Sequence, residues 1–66
     1  MIQIFKTHAD VNGNVYYLIV DHEKKTFKRD YNCLMWSAEN FIFTVTQKER
    51  TRYAEYLLSE GYSETL

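Results

Sequence analysis

Val15-Tyr16-Tyr17-Leu18-Ile19-Val20 sets six apolar or aromatic residues in a row, in the β-branched and aromatic composition of a strand. Side chains alternate across a strand, so this run loads both faces of whatever sheet it enters. The chain has one convincing helix, near its C-terminus, and one helix covers one face. Part of the sheet must therefore curl on itself, meet another chain or stay partly wet.

Outward from that run, Asn12-Gly13 is the strongest short hairpin signal, because a type I′ turn needs positive φ at both central positions. It joins a strand over about 2–10 to one over about 15–21. With Val11 opposite Asn14, the pairs Ala9–Tyr16, Thr7–Leu18, Phe5–Val20 and Gln3–His22 fall on one face, which is expected to be the core. The other face carries Ile2, Ile4, Lys6, His8 and Asp10 against Val15, Tyr17, Ile19 and Asp21, a more mixed set. His22-Glu23-Lys24-Lys25 forms a polar loop into a third strand over about 26–32, with Phe27 beside Val20 and Tyr31 beside Tyr16. Arg29 is the misfit, a charge on the core face. Cys33-Leu34-Met35-Trp36 extends this strand or crosses over it, and Phe41-Ile42-Phe43-Thr44-Val45 reads as a fourth strand.

Thr46-Gln47-Lys48-Glu49 has the spacing of a capping box, which starts a helix over about 47–60. Tyr53, Ala54, Leu57 and Leu58 form its apolar stripe, and Gly61 stands where a left-handed C-terminal cap belongs. Residues 62–66 are expected to fray, with Tyr62 able to fold back. The expected fold is a single small α+β domain over 1–66, a four-stranded, mostly antiparallel sheet with the helix packed on one face.

A chain of 66 residues buries only about 60% of its unfolded surface. Its eleven aromatic residues, each burying roughly 150–250 Å², supply material for a core without disulfide or metal. The net charge of −1 gives no bulk attraction to nucleic acid or to an anionic membrane. Cys33 is the one cysteine, so no internal disulfide forms, and a reducing, cytoplasmic setting is expected. No stretch reads as a signal peptide or a membrane span. The lack of proline, with abundant Tyr, Lys and Asn, fits AT-rich genomes such as those of many bacteria and phages, where small accessory or regulatory proteins are common.

The sequence carries no catalytic signature. His8, His22 and Cys33 do not converge at zinc-ligand spacing. Asp21 and Glu23 flank His22, but on a convex loop without a concave pocket. No cofactor and no enzyme activity are expected. The helix places Lys48, Arg50 and Arg52 in its first half, with Glu55, Glu60 and Glu64 at or beyond its second, against the helix dipole. That order is compatible with a small anion site at the helix start or with i, i+3 pairing of Arg52 to Glu49 or Glu55. Arg50 falls within the apolar stripe, where its stem can lie buried and its guanidinium can stack on an aromatic such as Trp36.

These features favour a non-enzymatic protein-interaction module, homodimeric or bound to a foreign protein. Its expected contact is the second face around Lys6, His8, Val15, Tyr17 and Ile19, or an exposed sheet edge. The alternative is a small nucleic-acid binder using Lys24, Lys25, Lys28 and Arg29 on the second hairpin with Lys48, Arg50 and Arg52 at the helix start.

Overall fold

The computed structural model describes residues 1–32 and 41–65; the alternatives for Cys33–Trp36 lie outside the described residues. The elements run β1 (Ile2–Lys6), β2 (Tyr16–Asp21), β3 (Thr26–Tyr31), β4 (Phe41–Thr44), α1 (Gln47–Ser59) and β5 (Ser63–Thr65). They form one sheet of order β4-β1-β2-β3-β5 with α1 on one side, an α+β fold with one more strand than expected. The central β1–β2 and β2–β3 pairs are antiparallel, and the outer β1–β4 and β3–β5 pairs are parallel.

The first hairpin departs from the expected two-residue turn. Gly13 has φ 81°, but Asn12 is not in the left-handed region. The Asp10 carboxylate accepts the N–H groups of Asn12 and Asn14 at 2.9 and 3.0 Å, and Gly13 N–H donates to Asp10 C=O at 2.9 Å. This is the three-residue loop in which a type I turn ends in a left-handed glycine, and it pairs Asp10 with Asn14. Two residues on, Thr7 N–H donates to Tyr16 C=O, so His8 and Ala9 together oppose Val15 in a bulge. Loop and bulge each slip the register by one residue, and the strands pair Phe5 with Leu18 and Gln3 with Val20. The net slip of two leaves the side chains of β1 and β2 on their expected faces, whereas Asp10, between loop and bulge, turns to Tyr16, whose hydroxyl donates to its carboxylate at 3.0 Å. The second hairpin matches expectation, with Tyr16 opposite Tyr31 and Val20 opposite Phe27.

α1 starts with the capping box: Thr46 Oγ accepts from Glu49 N–H at 3.1 Å and Glu49 Oε1 accepts from Thr46 N–H at 2.8 Å. It ends in a Schellman motif, with Tyr62 N–H donating to Leu57 C=O at 3.0 Å, Gly61 N–H donating to Leu58 C=O at 3.2 Å, and Gly61 at φ 88°. The helix lays Ala54 and Leu57 on Leu18, Val20 and Phe27, with Phe5, Tyr53 and Tyr62 around them. This is the face expected to be the core. Leu58, expected within the stripe, stays exposed.

Residues 63–65 do not fray. The Schellman turn aims the chain along β3, where Ser63 N–H donates to Lys25 C=O at 3.0 Å and Arg29 grips Glu64 through two bonds of 2.9 and 3.0 Å. Arg29, the misfit of the sequence reading, is thereby paired at the sheet margin.

The second face has a buried centre as well. Ile4 and Ile19 lie opposite each other in the register, on the side away from α1, with 0% and 8% of their surface exposed. The isolated chain covers both of these residues itself.

Candidate interaction surface

β4 pairs with β1 on one side, and among the described residues no strand pairs with its other side. Val45 N–H donates to Lys6 C=O at 2.8 Å. Backbone groups alternate along a strand, so Phe41, Phe43 and Val45 turn theirs toward β1 while Ile42 and Thr44 turn theirs outward. Among the described residues, those outward N–H and C=O groups form a strand edge. Phe41-Ile42-Phe43-Thr44 carries no charge and no proline.

Beside this edge stands a row of aromatic rings. Phe43 stacks on Phe5 at 5.7 Å between centroids, Phe5 meets Tyr53 at 4.8 Å, and Tyr53 stacks on Tyr56 at 5.8 Å. Phe5 and Tyr53 border the core, whereas Phe43 is 46% exposed and Tyr56 53%. On the opposite face of β4, Ile42 is 44% exposed. Among the described elements, α1 packs mainly against β2 and β5, away from β4. The sequence reading named an exposed edge in general terms but not this one, nor the aromatic row. The available signal was the uncharged run Phe41–Thr44.

The five second-face residues do not form one open patch. Ile19 is buried within the chain and is corrected from contact residue to core residue. Lys6 and Tyr17 sit opposite each other and half-buried, His8 is exposed in the bulge, and Val15 is half-buried with its backbone tied to Asn32 by bonds of 2.8 and 2.9 Å.

The basic residues of the second hairpin do not converge either. Lys28 and Arg29 project from opposite faces, Lys28 beside Asp30 at 3.5 Å and Arg29 on Glu64. Lys24 and Lys25 occupy the loop at the Asp21–Thr26 end of the sheet, away from the helix start. Asp21 shapes that loop by accepting the N–H groups of Glu23 and Lys24, and the bond from Lys24 contributes most to holding its carboxyl below the usual range.

At the helix start, Lys48, Arg50 and Arg52 do come together, lining one open groove with Tyr16, Gln47, Thr51 and Glu55. Arg50 Nε donates to Tyr17 C=O at 3.0 Å and its guanidinium lies 5.8 Å from the Tyr16 ring centre. Partial burial, with some repulsion from Arg29, lowers its pKa from the ordinary arginine value. The stem-buried reading of Arg50 is thus met by Tyr16; Trp36 lies outside the described residues. Neither Glu49–Arg52 nor Arg52–Glu55 is among the ion pairs of the described residues.

His22 has both ring nitrogens engaged, with Gln3 Oε1 at 2.8 Å and Tyr62 Oη at 2.8 Å. Among the described residues, no three His, Cys, Asp or Glu side chains are grouped to hold a metal ion. No helix among them is long and apolar enough to cross a membrane. No family model, curated protein or solved structure matches this chain.

Proposed function

We propose that this chain is a small non-enzymatic protein-interaction module whose contact surface is the open β4 edge with the aromatic corner beside it. The observation that supports it is the uncharged edge flanked by half-exposed Ile42, Phe43 and Tyr56. Unpaired strand groups next to large apolar side chains are the two ingredients of recognition by strand addition, in which the backbone supplies affinity and the side chains supply specificity. A partner strand, from a second copy or from a foreign protein, satisfies both. A photoreactive phenylalanine analogue at Ile42, with the same analogue at Lys24 as control, tests this in cells. Cross-links to protein from position 42 and not from 24 are expected; no cross-link from 42 would overturn the reading.

A second reading draws on the groove of Lys48, Arg50 and Arg52 beside the Tyr16 ring, cations next to an aromatic platform as single-stranded nucleic-acid binders use. Three phosphate contacts imply a log–log salt slope of about −2 for a single-stranded oligonucleotide. Binding that survives Lys48→Glu with Arg52→Glu would remove this reading.

A further inference from the structure

We propose that Asn12 is a modification site of this chain, where the side-chain amide is lost to water through a cyclic imide with Gly13, and that Asp10 sets the rate. The Gly13 nitrogen gives its proton to solvent and attacks Asn12 Cγ. The N–Cγ bond forms, the Cγ–Nδ2 bond breaks, and ammonia departs with a proton taken from solvent. Water then opens the imide at either carbonyl, leaving aspartate or isoaspartate. The net change is amide and water to carboxylate and ammonium, with nothing oxidised or reduced.

The structure separates Asn12 from Asn14 and Asn32. Asn12 is exposed, and nothing lies within 4 Å of the place a Cβ on Gly13 would take, so the attacking residue meets no steric barrier. Asn14 is followed by β-branched Val15, whose N–H is held by Asn32 Oδ1 at 2.9 Å. The Asn14 and Asn32 side chains are also bonded to each other, Asn32 Nδ2 donating to Asn14 Oδ1 at 3.0 Å.

The closed loop holds the reaction back. Asn12 is the third residue of the type I turn from Asp10 to Gly13, where ψ is about 0° and the Gly13 nitrogen is turned away from the Asn12 side chain. The Gly13 N–H is also bound to Asp10 C=O at 2.9 Å. Attack requires ψ to rotate, which breaks that bond and disturbs the two that the Asp10 carboxylate takes from Asn12 and Asn14 N–H. The amide therefore reacts from an opened loop, and Asp10 governs the opened fraction. Isoaspartate adds a carbon to the backbone of a loop whose length fixes its form. Either product takes the formal charge from −1 to −2, one neutral amide becoming one carboxylate. Because the ammonia is lost, the site records the age of the chain.

The full chain is incubated in mildly alkaline buffer, with and without urea, and amide loss at each asparagine is followed by peptide mapping with mass spectrometry. In the native chain Asn12 is expected to react faster than Asn14 and Asn32, yet on the order of tenfold slower than in urea. Asp10→Ala, lacking both side-chain bonds, is expected to speed the native reaction about fivefold or more. Asp21→Ala, which removes the matching bonds from the other hairpin loop, is expected to leave it unchanged. Should Asp10→Ala fail to fold, Asp10→Asn keeps an acceptor without the charge and is expected to react faster than the native chain. Equal rates at the three asparagines, equal rates at Asn12 with and without urea, no acceleration in the Asp10 variants, or equal acceleration by Asp21→Ala would each overturn the proposal.

Discussion

Asp10, Asp21 and Glu49 do the same work at three chain reversals, accepting backbone N–H groups that a turn or a helix start leaves without partners. The bonds from Asn14, Lys24 and Thr46 respectively contribute most to holding their carboxyls below ordinary values. Over the interval between folded and unfolded pKa, the unfolded chain binds more protons, so stability rises with pH there. The contribution is fully present above the ordinary carboxylate range and is lost as pH falls through the lowered values. Asp10→Asn with Glu49→Gln keeps acceptors in place without the titration. A shallower loss of stability in acid is expected from urea midpoints between about pH 2 and 7; an unchanged acid limb would count against these roles. Gly61 makes a different demand: nothing lies within 4 Å of the position a Cβ would take, so the cost of Gly61→Ala comes from its φ of 88° alone. A loss of about 1 kcal/mol is expected by denaturant unfolding, with Gly61→Asn milder.

At the scale of elements, β5 is the strand with the least apolar support. Ser63, Glu64 and Thr65 are all exposed, and what holds them is the Schellman turn, the Ser63–Lys25 bond and the Arg29–Glu64 fork. Because the fork is part-exposed, a double-mutant cycle over Arg29→Ala and Glu64→Ala is expected to return about 0.5–1 kcal/mol of coupling at low salt and less at high salt. β5 was not legible in the sequence because strand reading depends on apolar alternation, and three polar residues carry none. Arg29 was the trace it left, an unexplained cation on an apolar face. The first hairpin shows the opposite case: the faces of Phe5, Leu18 and Val20 were read correctly through a register two residues out. Asn12-Gly13 signals a turn but does not choose between the two-residue loop and the three-residue loop that the Asp10 carboxylate stabilises. The second hairpin, the capping box and the helix were legible because local chemistry alone fixes them. The proposed contact surface was not, because β4 becomes an edge only through its parallel pairing with β1, a long-range event with no local mark.

At the scale of the whole molecule, the core among the described residues is Leu18, Val20, Phe27, Ala54 and Leu57 on the helix side, with Ile4 and Ile19 on the other. A chain this short holds roughly 3–5 kcal/mol from such a core, and Leu57→Ala removes about 2–5 kcal/mol. Leu57→Ala is therefore expected to lose cooperative thermal unfolding at about 25 °C and above, whereas the exposed Leu58→Ala leaves it nearly unchanged. With Ile4 and Ile19 buried as well as the helix-side core, the proposed contact moves from the sheet faces to the outer side of β4. Amide hydrogen exchange, followed residue by residue in protein dilute enough to be monomeric, tests this most directly. Slow exchange at Phe43 and Val45 alternating with fast exchange at Ile42 and Thr44 is the predicted result; equally slow exchange at all four would mean that the edge is already covered and would contradict it.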